Sequence, residues 1–86
     1  MSNLFTWNDL VRVKSNAPLS YFPNQIAVVC GMLQVQSEKL RLKFGVSIGD
    51  WIYTIEFGDG SSVEIPESYL EKYPNSSNQQ KDGMSR

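Results

Sequence analysis

The chain has 86 residues, 41% apolar and 20% charged, a composition suited to one small globular domain. Its formal charge is −1, with one cysteine and no histidine, which excludes an internal disulfide, a cysteine–histidine metal cluster and the commonest general base. No apolar run approaches the ~20 residues that span a bilayer, and Met1 to Trp7 shows neither a basic nor an apolar leader region, so a cytoplasmic location without membrane contact is expected.

The first predicted strand lies around Asp9 to Lys14, where Val11 and Val13 alternate with Arg12 and Lys14, valines inward and cations outward. Residues 15–24 hold Asn16, Pro18, Pro23 and Asn24 and read as a long ordered loop that carries Tyr21 and Phe22. The second strand, about Gln25 to Leu33, is apolar on both faces, so burial from both sides is expected. Gly31 marks a bulge or bend in it, and Cys30 is expected to be a buried core thiol. Two readings compete over residues 34–48. Leu40, Leu42, Phe44, Val46 and Ile48 alternate as a strand would, whereas Ser37 and Gly45 bracket a short helix as its N-cap and terminal glycine. The brackets favour the helix.

The third strand, Trp51 to Phe57, places Trp51, Tyr53, Ile55 and Phe57 on one face and Ile52, Thr54 and Glu56 on the other. Asp59-Gly60 signals a hairpin into a fourth strand, Ser61 to Ile65, with Val63 and Ile65 inward and Glu64 outward. Pro66-Glu67-Ser68-Tyr69-Leu70 reads as one helical turn, and Glu71-Lys72-Tyr73 as a short closing strand. Polar residues dominate from Pro74 onward. The expected organisation is therefore one domain over 1–73 and a disordered polar tail over 74–86.

Three stretches carry a family resemblance: Trp7-Asn8-Asp9-Leu10-Val11-Arg12-Val13-Lys14, Pro23-Asn24-Gln25-Ile26-Ala27-Val28-Val29-Cys30-Gly31, and Tyr53 to Gly60 continuing through Glu64-Ile65-Pro66-Glu67-Ser68-Tyr69-Leu70. Together they resemble bacterial SH3-like domains, and the match covers about residues 5–73 apart from the 34–48 insertion. Asn8 and Asn24 stand where such domains carry glycine, a mild change because asparagine tolerates left-handed backbone. The resemblance implies an all-β fold: a small SH3-like barrel of about five strands with a short helical insertion and a helical turn before the last strand. Such barrels host many unrelated functions, and catalysis is disfavoured separately, because the chain carries no phosphate loop, zinc-ligand spacing or nucleophile motif. The chain looks like the small, acidic, all-β immunity proteins of bacterial polymorphic toxin systems, and less like the C-terminal barrel of nitrile hydratase β subunits.

Charge distribution narrows the partner. Six carboxylates and no cation lie between Phe44 and Glu71 (Asp50, Glu56, Asp59, Glu64, Glu67 and Glu71), while the flanking segments are net positive. Charge arranged in this way speaks about partners more than fold. A solvated face is the commoner fate of such a run. The functional alternative is a docking surface for a protein with a basic surface, such as a toxin domain, using Asp50, Glu56, Asp59, Glu64 and Glu67. Tyr21, Phe22 and Trp51 would supply anchoring area, and most of the other aromatics, Trp7 among them, are expected in the core. An accessory or adaptor domain that binds a larger enzyme subunit or a peptide is the second expectation, with Tyr21, Trp51 and Tyr69 imitating the proline-peptide groove of SH3 domains. Nucleic acid is disfavoured by a pI near 5.2. No catalytic, cofactor or metal residue is assigned.

Overall fold

A computed structural model describes residues 3–73. The tail expected over 74–86 lies outside the described residues. Five strands form one antiparallel sheet: β1 (Leu10–Val13), β2 (Ile26–Gln34), β3 (Trp51–Phe57), β4 (Ser62–Pro66) and β5 (Leu70–Lys72), in the order β4-β3-β2-β1-β5. One helix, α1 (Glu38–Phe44), and two 3-10 turns, Leu19–Tyr21 and Glu67–Tyr69, complete the elements. The edges β4 and β5 are not paired with each other among the described residues, so the sheet is open rather than a closed barrel.

Local chemistry accounts for most boundaries. Ser37 caps α1 by accepting the Leu40 N–H at 3.2 Å, and Gly45 ends it in the left-handed region at φ 67°. The helical reading of that insertion holds. At the β3–β4 turn the Gly60 N–H donates to the Phe57 carbonyl at 3.0 Å and the Phe57 N–H to Ser61 at 2.8 Å, with Gly60 at φ 90°. This is a three-residue hairpin loop whose last position needs positive φ. Asn8 (φ 74°) and Asn24 (φ 73°) occupy the left-handed region, the conformation that glycine would otherwise supply.

The core lies on one face of the sheet. Val11, Val13, Ala27, Val29, Tyr53, Ile55, Ile65 and Leu70 interlock there with Phe5 and Ala17 from the loops. Alternation produces this set, because register places Val11 beside Ala27 and Ala27 beside Phe57, then Val29 beside Ile55 and Ile55 beside Val63. Ile52 and Val35 are buried outside that cluster.

Three expectations are corrected. Strand β2 is not buried from both sides: Ile26 and Leu33 are exposed because, among the described residues, nothing covers its second face at those positions. Cys30 is exposed rather than a core thiol. Alternation explains this: with Ala27 and Val29 buried, Cys30 falls on the opposite face, and the register of β2 on β3 skips it at the bulge between Val29 and Gly31. Trp7, expected in the core, is 60% exposed.

Candidate functional site

A concavity of about 610 Å³ lies between the β1–β2 loop and the β3–β4 hairpin. Leu19, Phe22, Pro23 and Gln25 form one wall; Phe57, Gly58, Asp59 and Ser61 form the other. A second, shallower groove shares Phe57 and Gly58 and continues over Leu10, Ile26, Val28 and Glu56 on the outer face of the sheet. The two make one apolar surface centred on Phe57. Leu19 is 86% exposed and Phe22 49% exposed, so a substantial part of this surface faces solvent.

Phe22 is the unusual residue of the wall. Its φ is 60°, a left-handed conformation that costs a bulky side chain on the order of 1–3 kcal/mol. Short bonds hold it there. Its N–H donates to the Leu19 carbonyl at 3.0 Å, its carbonyl accepts the Gln25 N–H at 3.2 Å, and Gln25 and Asn24 are in turn bonded to Val13 at 2.9 and 2.7 Å. The outcome is an edge-to-face contact of Phe22 with Phe57, ring centroids 5.4 Å apart at 76°. The conformation aims an aromatic ring into the groove.

Carboxylates edge this surface. Glu56 faces Ser62 across the β3–β4 pair and Glu64 faces Thr54, so the two glutamates are diagonal neighbours on the outer face, about 7–8 Å apart in such a ladder. Both are exposed, and neither enters an ion pair among the described residues. Asp59 sits at the hairpin tip and accepts the Ser61 N–H at 2.9 Å and the Ser61 hydroxyl at 2.7 Å. Those bonds, the hydroxyl's first, hold its carboxyl below the usual carboxylate value, so it keeps its charge as pH falls.

The remaining sequence-predicted residues lie elsewhere. Glu67 is half-buried at the opposite end of the hairpin, where it accepts hydrogen bonds from the Tyr53 hydroxyl at 2.6 Å and the Leu4 N–H at 2.8 Å. Tyr53 is wholly buried; burial first, then this bond, push its hydroxyl pKa up to about 12. Asp50 accepts the Ser47 N–H at 3.0 Å and shares a smaller pocket with Glu67 and Lys14. Trp51 begins β3 opposite Gln34. Tyr21 packs on Tyr69 with centroids 5.8 Å apart, and burial together with that neighbour raises its pKa. Glu71, the sixth acidic residue of the run, is bonded to Arg12 at 2.7 Å, so it is compensated.

The fold therefore gathers Phe22, Asp59 and Glu56 around the two grooves that share Phe57, sets Glu64 diagonal to Glu56 on the outer face, and leaves Asp50, Glu67, Trp51 and Tyr21 apart from them. Leu19, Gln25, Ile26 and Phe57 were not singled out by sequence. An exposed leucine between Pro18 and Pro23 was the available signal for Leu19; Phe57 gave none, since its position against the loop depends on tertiary contact. Among the described residues no helix is long and apolar enough to cross a membrane. No protein-family model matches the chain, and no curated protein or solved structure matches it. What is established is a small, mostly β domain built on a five-stranded antiparallel sheet.

Proposed function

We propose that this chain is a stoichiometric protein-binding module of SH3-like architecture that docks a partner with a basic surface against the Phe57 groove and the carboxylates beside it. Strand order and the 3-10 turn before β5 support the architecture. One observation carries the functional part: Phe22 is held in a costly backbone conformation over a solvent-open apolar groove that Asp59 lines and that adjoins Glu56 through Phe57, with Glu64 diagonal to Glu56. Strain retained at an exposed aromatic belongs to a surface kept ready for a partner. The aromatic wall provides a desolvated centre, and the carboxylates accelerate encounter with a cationic partner and define its sign.

The biological form that suits this surface is an immunity-type inhibitor that neutralises a basic toxin, with Glu56, Asp59 and Glu64 occupying a cleft that otherwise receives phosphate. The test is genetic and direct. A toxin encoded beside this chain, expressed alone, is expected to kill cells, and co-expression of this chain is expected to rescue them. The folded double variant Glu56→Lys with Glu64→Lys is expected to fail. Rescue by that variant at equal expression would remove the acidic surface from the mechanism, and a neighbour that is harmless alone would remove the inhibitor role.

A further inference from the structure

The edge strand β4 is the second feature of this region that faces outward. Among the described residues it pairs only with β3. The bond from the Phe57 N–H to the Ser61 carbonyl at 2.8 Å fixes which of its backbone groups are used. Because antiparallel ladders alternate between bonded and non-bonded pairs, Val63 and Ile65 turn their N–H and carbonyl groups toward β3. Ser62 and Glu64 turn theirs to the free edge, and both residues are exposed. Pro66, which has no N–H, limits the open edge to the Ser62–Glu64 stretch.

Side chains add a chemical preference. Glu64 stands on the outer face, with Glu56 diagonal to it on the neighbouring strand. Val63 and Ile65 stand on the inner face; Ile65 is buried, but Val63 is only partly buried and packs at the margin of the core. A strand added beside β4 has its own side chains alternating between these environments. One set meets the two glutamates, the other meets Val63 and the open edge of the core.

We infer that β4 accepts an extended segment of the partner as a sixth strand, and that this segment alternates basic and apolar residues. The inference rests on the docking proposal above and specifies how the partner is held. A second copy of this chain is a poor occupant, because pairing β4 with β4 brings Glu64 toward its counterpart with no cation between them. The opposite edge, β5, is three residues long and bears Lys72 and the Arg12–Glu71 pair, so it lacks both the length and the charge. The charge on β4 thus rejects its own kind while admitting a cationic strand.

The probe is a short capped peptide alternating lysine with valine, added to the 15N-labelled chain at low salt, with a glutamate–valine peptide as control. Amide exchange at Ser62 and Glu64 is expected to slow at least ten-fold with the basic peptide and not with the acidic one. Glu64→Pro removes one outward N–H, leaves the β3 ladder intact at that non-bonded pair, and is expected to abolish the protection; its dispersed amide spectrum checks folding. Shifts at Phe22, Phe57 and Glu56 without protection at Ser62 and Glu64 would overturn strand addition and leave the docking surface standing. No binding of the basic peptide at all would overturn both.

Discussion

The two ends of the β3–β4 hairpin put the same side chain to opposite uses. At the Pro66 end, Glu67 joins the buried Tyr53 hydroxyl to the Leu4 N–H and so ties the N-terminal segment to the turn before β5. Toward the Gly58 end, Glu56 beside the turn and Glu64 in mid-strand stand exposed on the outer face and enter no ion pair among the described residues. A carboxylate whose bonds are made inside the fold contributes stability; one left in water among like charges contributes little, and its value lies in what it attracts. Sequence proximity concealed this division, because all these residues fall within one uninterrupted acidic run.

Removing the locked carboxylate gives the largest expected effect. Glu67→Ala should lower stability by about 2 kcal/mol in urea unfolding, as loss of charge-assisted hydrogen bonds does, whereas Glu64→Ala should stay within about 0.5 kcal/mol. Equal losses would erase the distinction between the ends. The same lock has an alkaline signature. Tyr53 has its pKa raised from 10.0 to about 12, so its contribution is fully present below pH 10 and is lost as pH rises through 12. Tyr53→Phe should remove that alkaline component while retaining the ring's packing against Phe5.

The free carboxylates should show the reverse pattern. Glu56→Lys combined with Glu64→Lys should leave the unfolding midpoint nearly unchanged yet slow association with the partner about ten-fold at low salt, a change that shrinks as salt screens the charges. An association rate insensitive to both the substitution and the salt would make this end as inert as a merely solvated face. Phe22→Asn comes next. Asparagine accepts left-handed backbone, which offsets the lost edge-to-face contact worth about 0.5–1.5 kcal/mol, so stability should shift by less than about 1 kcal/mol while partner affinity falls. Arg12→Ala should give the smallest change. Its pair with Glu71 is more than a third exposed on each side, and such pairs contribute at most about 1 kcal/mol before screening is discounted.

Much of the framework was legible because its signals are local. Ser37 and Gly45 fix α1, Asp59-Gly60 fixes the hairpin, Gly31 marks the bulge, and Pro66 opens the last turn. Each depends on residues within a few positions of one another. What sequence could not supply is non-local. Whether the second face of β2 is covered depends on what other elements pack there, so apolar Ile26 and Leu33 suggested a burial that does not occur. Cys30 lies outside the core because alternation from buried Val29 puts it on the opposite face, and a run that is apolar on both faces gives no sign of which face is exposed there. Closure of the sheet depends on whether β4 meets β5, which strand patterns alone do not determine.

The candidate site was half legible for the same reason. Charge is readable residue by residue, so Glu56, Asp59 and Glu64 were identifiable. Their separation from Glu67 and Glu71 was not, because Glu71 is neutralised by Arg12 across 59 positions and Glu67 is engaged by Tyr53. Phe22 stood out as an aromatic in a proline-bounded loop. Its partner Phe57 and its φ of 60° became apparent only once the loop was placed against the hairpin. Helix α1, by contrast, was anticipated but buries none of its residues, and Leu42 on it is 65% exposed.

Hydrogen–deuterium exchange on the complex with the purified partner tests the central claim most directly. Protection is predicted at residues 19–25 and 56–64, the two walls of the Phe57 groove and its acidic margin, with α1 exchanging as it does in the free chain. Protection confined to α1 and its exposed leucines, with the groove unchanged, would contradict the account.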